Sequence, residues 1–139
     1  MNARIIDISS LEKLDNFAKE FSQSIKAGDL IFLNGDLGTG KTTFVQMLMR
    51  HLGFQVKVKS PTYAIYEAYK NDKYSIFHMD LYRLSSAEEL YYLGIEEIIT
   101  PENIVLIEWA DKGEKVLPNA TKQLNFNLSN AKNREITLN

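Results

Sequence analysis

The sequence predicts an α/β domain with a mixed, partly parallel sheet and antiparallel edge hairpins. Three observations carry this. Residues 29–33, Asp-Leu-Ile-Phe-Leu, read as a buried strand that runs through a glycine-rich stretch into Phe44, Val45, Leu48, Met49 and Leu52 at helical spacing. Ile104, Val105, Leu106 and Ile107 form an unbroken apolar run, the pattern of a strand covered on both faces. Leu124, Phe126 and Leu128 alternate with polar residues, as do Ile136 and Leu138, so the end of the chain reads as a hairpin with residues 130–133 at its turn.

The remaining elements follow in order. Residues 4–8 read as a short strand. Ser9 and Glu12 have the spacing of a capping box, and Leu11, Leu14, Phe17, Ala18, Phe21 and Ile25 make one helical stripe that Gly28 should stop. Gly53 should end the second helix. Residues 56–60 lead into Pro61, and residues 62–69 and 73–81 favour strands joined by a tight turn at Asn71-Asp72. Ser85 and Glu88 offer a second capping box, opening a short helix that Gly94 ends. Residues 95–100 fit a further helical turn before Pro101, and Leu117-Pro118 marks an exit.

Composition sets broad limits. A chain of 139 residues with no repeat, linker or low-complexity segment fits a single domain spanning 1–139. With 45% hydrophobic and 24% charged residues it has the make-up of an ordinary soluble protein. A net charge of −2 argues against holding nucleic acid mainly through a basic surface. There is no cysteine, hence no disulfide, thiol nucleophile or Cys-ligated metal. Asp7 and Glu12 do not suit a secretory signal, and no apolar run approaches the roughly 20 residues of a membrane span, so the cytoplasm is the expected location.

The glycine-rich stretch is Gly35-Asp36-Leu37-Gly38-Thr39-Gly40-Lys41-Thr42, followed by Thr43. It matches G-x-x-x-x-G-K-[ST], the phosphate-binding P-loop, in its strand–loop–helix setting. Glycine permits a turn whose N–H groups point inward, and the helix N-terminus adds positive potential. Lys41 would reach the β- and γ-phosphates, and the Thr42 hydroxyl would take a position on Mg²⁺. The fold expected around such a loop is a P-loop NTPase-like three-layer α/β fold.

Such a site also needs a carboxylate at a neighbouring strand end. Glu108 follows the apolar run directly; Asp80 lies in His78-Met79-Asp80-Leu81-Tyr82-Arg83. A carboxylate beside a buried strand end needs a positive partner, which Mg²⁺ would supply. Glu108 is assigned to the metal with Thr42, and Asp80 to orienting or deprotonating water; the roles are interchangeable at this level. The alternative for each is a salt bridge to a Lys or Arg. The hydroxyls of Ser60-Pro61-Thr62-Tyr63 would sense a γ-phosphate, or form a strand-entry turn. Trp109 fits stacking on a base or mobile loop, or a place in the core. His78 is expected to be a satisfied structural histidine rather than a catalytic base, and Arg83 to steady transition-state charge or pair with Asp80 or Glu88. The sequence has no [NT]-K-x-D and no D-x-x-G after the loop, which favours ATP over GTP. Only four arginines, with no arginine-rich lid, favour water over a small-molecule acceptor.

G-D-L-G-T-G-K-T-T, S-P-T-Y, H-M-D-L-Y-R-L, and the apolar run into E-W-A-D-K-G and L-P together resemble the TsaE (YjeE) family in order and spacing, from about Gly28 to Pro118. The loop is generic; the combination with H-x-D-L-Y-R and I-E-W is specific. The resemblance implies a bacterial ATPase of tRNA threonylcarbamoyladenosine biosynthesis, using ATP and Mg²⁺. It implies partners TsaD and TsaB, with tRNA met only through the complex. It also puts Lys41 and Thr42 on phosphate and Mg²⁺, Glu108 at the metal-associated glutamate, Asp80 at the catalytic aspartate and Trp109 beside the nucleotide. The base is expected near Leu11 and Arg134. Two other functions stay open: a nucleotide-gated interaction module in which Ser60 to Tyr63 and Trp109 switch, and a small-molecule kinase.

Overall fold

The structure is a computed structural model, and it describes residues 3–36, 38–55, 57, 58, 61, 65–129 and 133–139. Its described strands form one seven-stranded sheet in the order β1-β7-β6-β2-β5-β4-β3. The strands are β1 (Arg4–Asp7), β2 (Leu30–Asn34), β3 (Tyr66–Lys70), β4 (Ser75–Asp80), β5 (Ile104–Glu108), β6 (Lys122–Leu128) and β7 (Arg134–Leu138). The helices are α1 (Leu11–Ser22), α2 (Lys41–His51), α3 (Glu89–Tyr92) and α4 (Ile95–Ile98), with a 3₁₀ turn at Ala110–Gly113. β6, β2, β5 and β4 run parallel; β3 joins β4 antiparallel at one edge, and β7 and β1 complete the other. This is a P-loop NTPase-like three-layer α/β fold with antiparallel edges.

The parallel centre follows from the apolar runs. Every residue of β5 is buried, and Leu30, Ile31 and Leu33 of β2 are buried beside it. Alternation then sorts side chains between two cores. Ile31, Leu33, Leu106 and Phe126 face α1 and α2, where Phe17, Phe21, Phe44 and Phe126 pack with ring centroids 5.7–5.9 Å apart. Leu30, Val105, Ile107 and Met79 face α3 and α4 with Leu90, Ile95 and Ile98.

Several local expectations are corrected. The N-cap of α1 is Ser10, whose hydroxyl accepts from the Lys13 amide at 3.1 Å; Ser9 is held by Asp7, its hydroxyl donating to Oδ1 at 2.6 Å. The helix ends at Ser22 rather than near Gly28. Ser22 and Ser24 return their hydroxyls to the Lys19 and Phe21 carbonyls, local bonds that compete with helix propagation. Ile25 still enters the core, but Leu11, at the open end of the stripe, is 69% exposed. The second box also shifts: Glu89, not Glu88, reaches back, accepting from the Ser85 and Ser86 amides. The β3–β4 turn spans residues 71–74, where the Asn71 side chain accepts from the Lys73 and Tyr74 amides. Leu128 breaks its alternation because it lies beyond helix cover at the hairpin end, 55% exposed. The beginning expected for the β3 strand, residues 62–64, and residues 130–132 of the last hairpin turn lie outside the described residues.

Candidate functional site

β2, β5 and β4 end side by side, with Leu33 paired to Glu108 and Glu108 paired to Asp80. In open α/β sheets this carboxyl edge is where ligands gather. The loop after β2 crosses that edge. At Gly35, φ +146°, a Cβ would stand 2.7 Å from the Phe126 carbonyl oxygen, so only glycine lets the loop pass this close to β6. Gly38 and Gly40 adopt φ +77° and +102°, and α2 starts directly after Gly40. Thr39 is buried and ties the loop by donating to the Asp36 carbonyl at 2.7 Å. Leu37 lies outside the described residues.

Lys41, Thr42, Thr43, Gly38, Gly40, Asp80, Glu108, Trp109 and Arg134 line one cavity of about 250 Å³. Both carboxylates and the predicted lysine therefore meet over the helix N-terminus. Gly35, Asp36 and Thr39 do not line this cavity: Asp36 is exposed, and Thr39 is buried beside the next one. Leu11 lines an adjoining cavity of about 140 Å³ with Ser9, Ser10, Thr39, Gly40, Thr43 and Arg134. Gly40, Thr43 and Arg134 line both spaces, so the two cavities adjoin, one at the strand ends and the other at the start of α1. The Arg134 backbone is fixed there: its amide donates to the Ser9 hydroxyl at 3.1 Å, and its carbonyl accepts from the Ile8 amide at 2.9 Å.

Lys41 and Glu108 are buried, Asp80 is half-buried and Arg134 is exposed. Lys41 folds back, its ammonium donating to the Gly35 carbonyl and lying 4.5 Å from the Trp109 ring centroid. Burial pushes the Lys41 ammonium below the ordinary lysine range, while Glu108 and Asp80 oppose that shift. Burial raises the Asp80 carboxyl; the Tyr82 amide, donating to Oδ1 at 3.0 Å, works the other way, and the nearby Glu108 charge adds to the rise. Trp109 holds a left-handed conformation, φ 59°, and its ring contacts the Lys41 ammonium and Tyr82, whose ring centroid is 5.0 Å away. It is partly buried, lining the cavity while also packing against the core under α3 and α4.

Glu108 has a partner that sequence reasoning missed. Its Oε2 lies 2.7 Å from His78 Nε2, and both residues are buried. The expected alternative was a Lys or Arg, and His78 had no predicted partner. The available signal was the alternation of β4, which puts His78 and Asp80 on one face. Arg83 is exposed and makes no ion pair among the described residues. Ser60, Thr62 and Tyr63 lie outside the described residues. Among the described residues no three His, Cys, Asp or Glu converge as a metal site of their own, and no helix is long and apolar enough to cross a membrane.

Sheet order, glycine loop and paired strand-end carboxylates define a P-loop NTPase-like α/β protein. The chain matches the family model described as threonylcarbamoyl adenosine biosynthesis protein TsaE over residues 8–136, and it belongs to the TsaE family. It is 43% identical over 105 residues to the tRNA threonylcarbamoyladenosine biosynthesis protein TsaE of Rickettsia prowazekii, covering 75% of this chain and 72% of that one. To the protein of the same description from Haemophilus influenzae it is 39% identical over 126 residues, covering 86% and 80%. The crystal structure of Bacillus subtilis YdiB superposes with a TM-score of 0.80 at 30% identity, covering 99% of this chain and 86% of that one.

Proposed function

We propose that this chain is an Mg²⁺-dependent ATP-binding and ATP-hydrolysing subunit. It supports threonylcarbamoyl transfer to adenosine beside the tRNA anticodon, acts with TsaD and TsaB in the cytoplasm, and meets tRNA only through that complex. Family membership supports the pathway. The observation that carries the chemistry is the meeting of Lys41, Thr42, Asp80 and Glu108 in one cavity over the N-terminus of α2.

The donor set fits a magnesium nucleotide. Mg²⁺ is usually held by one or two protein oxygens together with substrate phosphates and water, and here Thr42 and the Glu108 oxygen not bound to His78 are available. When bound, the ion neutralises phosphate charge and holds the leaving group in place. Loop amides and the α2 N-terminus receive the phosphates. Lys41 exchanges the Gly35 carbonyl for phosphate oxygens. Asp80, beside Glu108 and raised by burial, orients or accepts a proton from the attacking water. The base would rest against Leu11 and Arg134, a reading supported by their lining one cavity next to the start of α1.

A second reading has its own observation. Trp109 rests on the Lys41 ammonium in a left-handed conformation, so a nucleotide that draws Lys41 away removes its support. The site would then gate partner contact as well as hydrolyse. ATPase rates with and without TsaD, TsaB and tRNA test the first reading. Stimulation is expected, with Asp80→Ala and Glu108→Ala binding nucleotide but losing turnover. Normal turnover in both variants overturns it. Equal partner affinity with ATP, ADP and a non-hydrolysable analogue excludes the gate. A metabolite phosphorylated faster than water is attacked would make the protein a kinase.

A further inference from the structure

Deep in the β4–β5 layer lies a histidine that the proposed chemistry does not use. His78 is fully buried and stands on the same face of β4 as Asp80. Its Nε2 meets Glu108 Oε2 at 2.7 Å, and its Nδ1 has no hydrogen-bond partner among the described residues. A buried polar atom without a partner is uncommon in a folded core. A purely structural histidine at this depth would be expected to satisfy both ring nitrogens. Here one nitrogen is left bare and the whole hydrogen-bonding capacity of the ring is directed at a single carboxylate oxygen.

The consequence is directional. A carboxylate at a strand end can turn about its side-chain torsions, and either oxygen can face the cavity. With the Nε2–H donating to Oε2, one oxygen is tethered beneath the sheet edge and Oε1 alone is left for the cavity. The backbone supports this arrangement: β4 and β5 pair in register through Ile76–Ile104, His78–Leu106 and Asp80–Glu108, which fixes the height of His78 relative to Glu108. A proton on Nδ1 would be buried without an acceptor, so Nε2 is the nitrogen that carries the hydrogen. We infer that His78 is a positioning residue: it clamps one oxygen of Glu108 so that the other is presented to the Mg²⁺-nucleotide at a fixed angle. This rests on the ATPase reading for its purpose, though the clamp itself is a property of the free protein. Partners that orient a metal-associated ligand commonly matter about 10–100-fold in metal affinity or activity.

The test separates the clamp from the ATPase reading. In the nucleotide-free protein, proton NMR should show an imidazole Nε2–H protected from exchange, absent in His78→Leu and exposed to exchange in Glu108→Ala. In assays with ATP, His78→Leu should raise the Mg²⁺ concentration for half-maximal turnover by about tenfold and lower kcat. Nucleotide binding in EDTA should stay within about twofold of wild type, because the clamp acts on the metal-associated oxygen and not on the loop. His78→Gln, whose amide nitrogen takes the place of Nε2, should recover most of the loss, and thermal unfolding of each variant controls for misfolding. The clamp is overturned if the protected proton is missing in the wild type, if a folded His78→Leu matches wild type in its Mg²⁺ dependence, or if the Gln variant is no better than Leu. A protected proton in a wild type that hydrolyses no ATP would support the clamp and sink the ATPase reading.

Discussion

Asp80→Asn should make the nucleotide-free protein more stable. Asp80 and Glu108 are paired across adjacent parallel strands, which places their backbones about 4.8 Å apart. With both side chains on one face, two charges about 6 Å apart at an effective dielectric near 20 repel by about 3 kcal/mol. His78 and Lys41, close to the same carboxylate, oppose part of that, and their attraction is lost with the charge. What remains is chiefly the desolvation of a half-buried carboxylate, about 1 kcal/mol after solvent screening. The Asn side chain keeps the volume and can still accept from the Tyr82 amide. For a chain of this size the gain corresponds to about 4 °C in melting temperature. Its pH dependence has a definite sign. Burial raises the folded Asp80 above the ordinary carboxylate value, so the wild type loses stability as pH rises through the folded value. The advantage of Asn is therefore largest near pH 8 and fades as pH falls into the unfolded carboxylate range. Calorimetric melting of both proteins across that interval is the assay. No advantage at pH 8, or an advantage of constant size down to pH 4, would refute the electrostatic reasoning.

Two further substitutions probe what holds the loop and central strand. Gly35→Ala puts a methyl 2.7 Å from the Phe126 carbonyl at a φ that favours glycine; a loss of roughly 2 kcal/mol is expected in urea unfolding, and a silent variant would mean that the loop passes β6 at a greater distance. Asp29→Ala takes the acceptor from the Lys26 amide and the ion-pair partner from the Lys122 ammonium, 3.1 Å away, at the base of β2, where Asp29 is 2% exposed; about 2 kcal/mol should be lost, measured the same way.

Much of this architecture is written in short-range pattern. β2 and β5 are legible because a doubly covered strand needs a continuous apolar run, and the loop because its glycines and Lys41 occupy fixed spacings. The capping serine of α1 is not, since the choice between Ser9 and Ser10 turns on a hydrogen bond to Asp7. Nor is the neighbour of β1, which is β7 from the far end of the chain. At the site, Lys41, Thr42, Asp80, Glu108, Trp109 and Arg134 were named from sequence and are brought to one cavity. The His78–Glu108 bond escaped because it depends on which strands lie side by side and in what register. Leu11 fits the core stripe by periodicity but stands at the helix end, where the described residues leave it 69% exposed.

The central claim is that a magnesium nucleotide sits against the loop ahead of α2. Calorimetric titration of MgATP into the wild type and into Lys41→Ala tests it most directly. Saturable binding at one site per chain, abolished in a folded Lys41→Ala, is the predicted result. Equal heats in the two proteins, or none in either, would contradict it.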